Sequence, residues 1–278
     1  MSVNNMRIAM LGCGNMGEAI LSRLLGQGIF AKDQVNVAEK APERQSYLAE
    51  TYGVQVTDVG QAIEGADLVI VAVKPQQFND LPDMSLASGA VVISIMAGKS
   101  IGELRQRFKE ANIVRVMPNL GFKTGNGVSG FYLDPDSKWQ PEQTELIKQV
   151  LGAGGLTFEM PNEPQLDVLT AISGSGPAYF YWFAELLAGA AADAGFGPEE
   201  AQAIVRQTFI GAAELLKASP ELQLNDLQSL ITSKGGTSEA ALEVLSKSDG
   251  KQTVLNAVQA ARARAVQLAE PTASNNEV

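Results

Sequence analysis

The 278-residue chain is 45% hydrophobic and 19% charged with a formal net charge of −10, which sets the expectation of two soluble globular domains and disfavours nucleic acid as a partner, since phosphate binding draws on Lys and Arg. With no histidine and a single cysteine, Cys13, the sequence excludes Ser-His, Cys-His and His-Asp catalysis and an internal disulfide, and no metal site is expected. No apolar run reaches the roughly 20 residues of a membrane span, and the opening MSVNN lacks a signal-peptide pattern, so a cytoplasmic protein acting on a small molecule, away from membranes, is expected.

Residues 6–11, MRIAML, form a short apolar run that ends in GCGNMG and passes into EAILSRLLGQG, where Ile20, Leu21, Leu24 and Leu25 recur at helical spacing. This is a strand, a glycine turn and a helix. Gly12 suits the tight turn, Gly14 lets backbone approach a pyrophosphate, and Gly17 allows close helix packing against a helix N-terminus that attracts anions. Cys13, between the glycines, is read as a small packing residue.

Further strands are predicted at 35–39, 54–57, 67–73, 90–96 and 112–117, with helical stretches between most of them. The alternation implies an α/β Rossmann-like domain with a mainly parallel, doubly wound sheet, whose ligands bind beyond the carboxyl ends of the strands. Three strand ends carry polar punctuation there: Lys74-Pro75-Gln76, Ala97-Gly98-Lys99-Ser100 and Met117-Pro118-Asn119. Ala97, Gly98 and Asn119 are therefore placed in the cofactor site. Glu39, 27 residues after Gly12, stands where a carboxylate accepts hydrogen bonds from the ribose hydroxyls of NAD. Lys40 and Arg44 are close enough to hold the extra phosphate of NADP if Glu39 turns away. Both NADH and NADPH stay open.

Strand signals stop after 156–160 (LTFEM), and PNEP at 161–164 marks the boundary between a dinucleotide-binding domain at 1–161 and an all-α domain at 162–270. Helices are predicted at 165–172, 177–194, 198–219, 222–231, 237–246 and 252–268, and residues 271–278 read as a disordered tail. The 177–194 helix is apolar on nearly every face and needs neighbours all round, which points to subunit association. Its aromatics, from Tyr179 to Trp182, are read mostly as core packing. In SKGGTS (233–238), Gly235 and Gly236 could expose N–H groups while Thr237 and Ser238 cap the next helix, forming a carboxylate receptor; a plain turn is the other reading.

GCGNMGEAI, AVKPQ, RVMPN, TAISGSGPAYFY, QTFIGAAELL and ITSKGGTSEAALEVL occur in the order and spacing of the pyrroline-5-carboxylate reductases, which the chain resembles over about residues 6–268. The resemblance implies reduction of the cyclic imine 1-pyrroline-5-carboxylate to L-proline with NADPH or NADH, the last step of proline biosynthesis. It also implies a homodimer with interlocked helical domains, often built into a decamer. It sets the cofactor phosphates against Gly12, Gly14, Asn15, Met16 and Gly17, with Ala72, Val73, Lys74 and Pro75 near the adenosine and nicotinamide ribose. The substrate carboxylate would meet Ser233, Gly235, Gly236 and Thr237, with Ser238 where the family has a threonine facing the ring nitrogen. The chain departs from the family at Leu120-Gly121, where Thr-Pro is usual, and at Lys234, where Pro is common.

The segment LTAISGSGPAYFYWFA (169–184) holds no Lys, Arg, Asp, Glu, Cys or His. Reducing a ketone creates an alkoxide and calls for a proton donor. A protonated imine needs only hydride at the adjacent carbon. The missing acid thus favours imine reduction. Two alternatives stand beside it: reduction of another imine or keto acid on this scaffold, and a non-catalytic nucleotide-binding regulator.

Overall fold

A computed structural model of the chain describes residues 5–269; the tail expected at 271–278 lies outside them. The chain divides into two units, one running to Ser175 and resuming at Ala260, the other spanning Gly176–Gln259.

The first unit is built on a single eight-stranded sheet. Its strands are β1 (Ile8–Leu11), β2 (Val35–Ala38), β3 (Gln55–Thr57), β4 (Leu68–Val71), β5 (Val91–Ser94), β6 (Asn112–Pro118), β7 (Gly127–Leu133) and β8 (Gly155–Glu159). The order is β3-β2-β1-β4-β5-β6-β7-β8, and only the β6–β7 pair is antiparallel. Alternation along β1 sends Ile8 and Met10 into one apolar layer and Ala9 and Leu11 into the other, so both sheet faces are buried, as expected of parallel strands. One face is covered by α1 (Asn15–Gly26), α2 (Pro42–Tyr52) and α5 (Pro141–Gly152) through Leu21, Leu48 and Ile147. The other is covered by α3 (Val59–Ile63) and α4 (Ile101–Arg107) through Ile63 and Leu104.

The sequence reading missed β7, the short GVSGFYL run. Its two glycines and a serine dilute the apolar alternation that marks a strand. After β8, α6 (Pro164–Leu169) packs on β6 and β7. Leu169 approaches so closely that a Cβ at Gly130 would stand 2.2 Å from its methyl group. Buried Arg115 on β6 ties this helix down through Glu163 at 3.0 Å and Asp167 at 3.1 Å. The contact division therefore falls after Ser175, although the sheet itself ends with β8.

The second unit pairs α7 (Gly176–Asp193) with α8 (Pro198–Ala218), followed by α9 (Leu224–Leu230), α10 (Thr237–Lys247) and the start of α11 (Gly250–Ala269). Among the described residues of this unit, the aromatics of α7 do not form a core. Phe180, Tyr181 and Trp182 are 65%, 73% and 59% exposed. Phe183 meets Phe209 of α8 edge-on, at 6.3 Å. One neighbouring helix covers one side of an all-round apolar helix and leaves the rest bare. Among the described residues no helix is long and apolar enough to cross a membrane.

Candidate active site

The chain leaves β1, builds β2 and β3 to one side, then returns to β4 on the other. The crevice at this reversal lies beyond the carboxyl ends of β1 and β4, which is where doubly wound sheets bind ligands. Gly12 follows β1 with φ +81°, and a Cβ there would stand 2.9 Å from the Val73 nitrogen. Gly17 would meet the Gly12 carbonyl oxygen at 3.0 Å, whereas Gly14 has nothing within 4 Å. Two glycines let the turn and α1 pack against the strand ends, and the third leaves its outer side open. Gly14 is the N-cap of α1 without a side-chain cap, so the N–H groups of Asn15 and Met16 are free of helical partners. An open backbone approach, unpaired N–H groups and the positive end of a 12-residue helix fit a dinucleotide pyrophosphate.

A cleft of about 730 Å³ is lined by Gly12, Cys13, Gly14, Glu39, Lys40, Ala72, Val73 and Lys74, together with Thr57, Asp58 and Gln77. The sequence reading missed Thr57 and Asp58, although they stand at the carboxyl end of β3 as Glu39 does at that of β2. Ala97, Gly98 and Asn119 do not line this cleft. They follow the neighbouring strands β5 and β6, and Gly98 has φ +73°. Pro75 opens the 3₁₀ turn Pro75–Asp80.

The Glu39 carboxylate accepts the Cys13 N–H at 3.0 Å with one oxygen. Its other oxygen accepts the N–H groups of Lys40 at 2.8 Å and Ala41 at 3.2 Å. Arg44 does not stand free beside it. Its Nε donates to the Cys13 carbonyl at 3.0 Å, and its guanidinium pairs with Glu18. Lys40 is exposed, with Nζ 3.8 Å from Asp80. Cys13 is fully buried, and burial pushes its thiol up to about 12, which suits packing and not nucleophilic chemistry.

Asn119 spends its side chain on the fold. Oδ1 accepts the Val128 N–H at 3.1 Å, and Nδ2 donates to the Ser173 carbonyl at 3.2 Å and hydroxyl at 3.1 Å. Ser173 belongs to a π-helical turn, Thr170–Gly174, that carries the serine-glycine elbow toward α7. Such turns interrupt helices at functional sites more often than elsewhere. Next to Asn119, Leu120 is 56% exposed, while a Cβ at Gly121 would stand 2.9 Å from the Asn126 carbonyl oxygen. Glycine fits a backbone that comes this close.

In the second unit Gly236, not Thr237 or Ser238, is the N-cap of α10, and no side chain caps the helix. Thr237 and Ser238 begin the helix itself, because the Gly236 carbonyl accepts the Ala240 N–H at 3.2 Å. The expectation that their hydroxyls cap the helix is corrected accordingly. Those hydroxyls are thereby left for other partners. Gly235 has φ +73° and donates its N–H to the Glu239 carboxylate at 2.6 Å. The Gly236 N–H turns back to the Ser233 carbonyl at 2.9 Å. Ser238 also lines a cavity of about 590 Å³ with Gly211, Leu215, Leu227, Ile231 and Leu242.

The fold and the glycine turn define a dinucleotide-binding protein, a doubly wound sheet followed along the chain by a helical domain. Residues 7–98 match the family of coenzyme F420-dependent NADP oxidoreductases, and residues 163–268 match the pyrroline-5-carboxylate reductase dimerisation family. A pyrroline-5-carboxylate reductase of Mycobacterium tuberculosis is 36% identical, with 94% of this chain and 96% of that protein covered. Among solved structures, that of a pyrroline-5-carboxylate reductase from Coxiella burnetii superposes with a TM-score of 0.87 at 29% identity, covering 96% of this chain and all of that one. A Plasmodium falciparum pyrroline carboxylate reductase with NADP bound gives 0.82 at 27% identity, covering 96% and 99% of the two chains. The chain belongs to the pyrroline-5-carboxylate reductase family.

Proposed function

We propose that the protein reduces 1-pyrroline-5-carboxylate to L-proline with NADH or NADPH, as the last step of proline biosynthesis. The observation that carries this reading is the relationship to curated pyrroline-5-carboxylate reductases across nearly the whole chain, both domains included. The functional division is the dinucleotide-binding domain at 1–161 and the substrate-binding and dimerisation domain at 162–270. The bound cofactor supplies the hydride. The turn from Gly12 to Gly17, with Asn15 and Met16, takes the pyrophosphate; Glu39, Lys40, Ala72, Val73, Lys74 and Pro75 flank the adenosine and the ribose groups; Ala97, Gly98 and Asn119 shape the nicotinamide end.

The loop at 233–238 receives the imino acid. Ser233, Gly235, Gly236 and Thr237 hold its carboxylate, which displaces Glu239 from the Gly235 N–H. The Ser238 hydroxyl, with Thr237 beside it, faces the ring nitrogen. The imine nitrogen arrives protonated, so no acidic side chain is required at the elbow. The protein's part is to align, to neutralise the carboxylate and to exclude water. The working form is a homodimer, assembled further into a decamer, in the cytoplasm. A proline-requiring bacterium without its own reductase tests the proposal: it is expected to grow on proline-free medium when it expresses the chain, and failure of the soluble protein to support growth counts against it.

A further inference from the structure

The peptide of Cys13 is held on both sides. Its N–H goes to Glu39 and its carbonyl to Arg44, each at 3.0 Å. Arg44 is itself fixed: it pairs with Glu18 at the start of α1 and lies over the Tyr47 ring at 4.8 Å. The second oxygen of Glu18 accepts the hydroxyls of Tyr47 at 2.9 Å and Tyr52 at 2.7 Å. The Glu18 side chain is only 13% exposed. Burial raises its carboxyl, but the hydrogen bonds from Arg44, Tyr52 and Tyr47 more than reverse this and hold it below the usual range.

We propose that Arg44 is a positioning residue of the glycine turn, locking the Cys13 peptide from the side opposite Glu39, and that it is not the receptor of the cofactor's 2′-phosphate. The inference rests on the dinucleotide reading of this cleft. Turning the guanidinium toward a phosphate would release the Cys13 carbonyl and strip Glu18 of its cation in a half-buried place, where an unpaired charge is costly. Arg44 does not line the cleft, and with Nε on the Cys13 carbonyl and Nη2 on Glu18 its rigid fork cannot swing into the cleft and keep both partners. Arg44 therefore serves NADH and NADPH alike, by keeping the turn in the shape that accepts a pyrophosphate.

The test uses the full-length protein and its Arg44→Met and Glu18→Gln variants, with affinities for NADH and NADPH read from the fluorescence of the bound cofactor in the absence of imino acid. Both dissociation constants are expected to rise by a similar factor in Arg44→Met, about tenfold for the loss of one charge-assisted hydrogen bond, and by less in Glu18→Gln. Since Cys13 is the chain's single cysteine, its alkylation rate reports directly on the turn. Alkylation at a temperature well below unfolding is expected to quicken in both variants by more than any fall in melting temperature accounts for, and NADH is expected to slow it again. A rise confined to NADPH makes Arg44 the phosphate receptor and overturns the proposal, as does unchanged affinity for both cofactors. If Arg44→Met does not fold, the Glu18→Gln pattern decides alone. Wild-type protein that binds neither cofactor sinks the dinucleotide reading itself, a result distinct from normal wild-type binding that the variants leave untouched.

Discussion

The side-chain amide of Asn119 donates to both the carbonyl and the hydroxyl of Ser173, at 3.2 and 3.1 Å, fastening the end of β6 to the π-helical turn of the serine-glycine elbow. Asn119→Ala removes these bonds and also strands the Val128 N–H that Oδ1 accepts at 3.1 Å. The expected cost is about 2–3 kcal/mol of stability, measured by denaturant unfolding. Ser173→Ala keeps the carbonyl contact and is expected to cost less than half as much. Equal costs would mean that the carbonyl contact and the Val128 bond both contribute little.

Glu39 bears on cofactor choice in two ways. A carboxylate here would face a 2′-phosphate at close range, so NADH is expected to be used at least comparably with NADPH. Glu39→Ser is expected to move the ratio of kcat/KM values toward NADPH by roughly tenfold. Because Glu39 also holds the Cys13 N–H, the same substitution is expected to weaken both cofactors. Strong NADPH preference in the wild type, unaltered in Glu39→Ser, would contradict the assignment of Glu39 to the ribose.

Much of this was legible in the chain itself, and the rest was hidden for identifiable reasons. The strand, glycine turn and helix at 6–25 could be read because each glycine has a separate steric duty, now seen at Gly12 and Gly17. The parallel strands were read from apolar runs, and β7 was lost because Gly127, Ser129 and Gly130 interrupt its pattern. Long-range polar ties left no periodic trace. That Glu39 reaches back to Cys13, 26 positions away in sequence, and that Arg44 is spent on Glu18, depend on which strand ends the sheet brings together. The exposed aromatics of α7 show the converse limit, since an apolar helix signals burial without saying which chain buries it.

Gly236 admits no side chain without rearrangement. A Cβ there would stand 2.5 Å from the Ser233 hydroxyl oxygen and 2.9 Å from its carbonyl oxygen. Gly236→Val is expected to raise the KM for the imino acid by tenfold or so while moving the KM for the cofactor little, as steady-state kinetics with each ligand varied in turn would reveal. An equal effect on both constants counts against placing the carboxylate in this loop.

The exposed Phe180, Tyr181 and Trp182, with Leu186 at 51% and Leu230 at 66%, leave several large apolar side chains of the helical unit open to a partner. Light scattering on dilute protein is expected to show a dimer or larger assembly and no monomer. A stable, active monomer would remove the dimer proposal.

Acid is expected to loosen the sheet unit in part through buried Asp134, which accepts from Arg105 Nε at 2.7 Å, the Ser137 hydroxyl at 3.0 Å and the Asp136 N–H at 3.0 Å. Burial raises its carboxyl, but the hydrogen bonds from Arg105, Asp136 and Ser137 outweigh this and hold it below the ordinary 3.8. A carboxyl depressed in the folded state stabilises fully above its unfolded value and loses that contribution as pH falls through the folded one. Asp134→Asn is expected to be less stable at pH 7 by about 2 kcal/mol, with a flatter stability profile below pH 3.8. Circular dichroism across an acid titration checks both; parallel profiles for the two proteins would show that Asp134 contributes nothing to acid loss.

The central claim, that the chain is a reductase of a five-membered cyclic imino acid, is tested most directly by cofactor oxidation with purified protein. Pyrroline-5-carboxylate is set beside its six-membered homologue and a panel of keto acids, with NADH and NADPH each supplied in turn. The account predicts rapid, stoichiometric conversion of pyrroline-5-carboxylate to L-proline, with a kcat/KM above that for the larger ring and no turnover of keto acids, since no proton donor stands at the elbow. Faster reduction of a keto acid or of the larger ring, or cofactor binding without oxidation on any of these substrates, would contradict it.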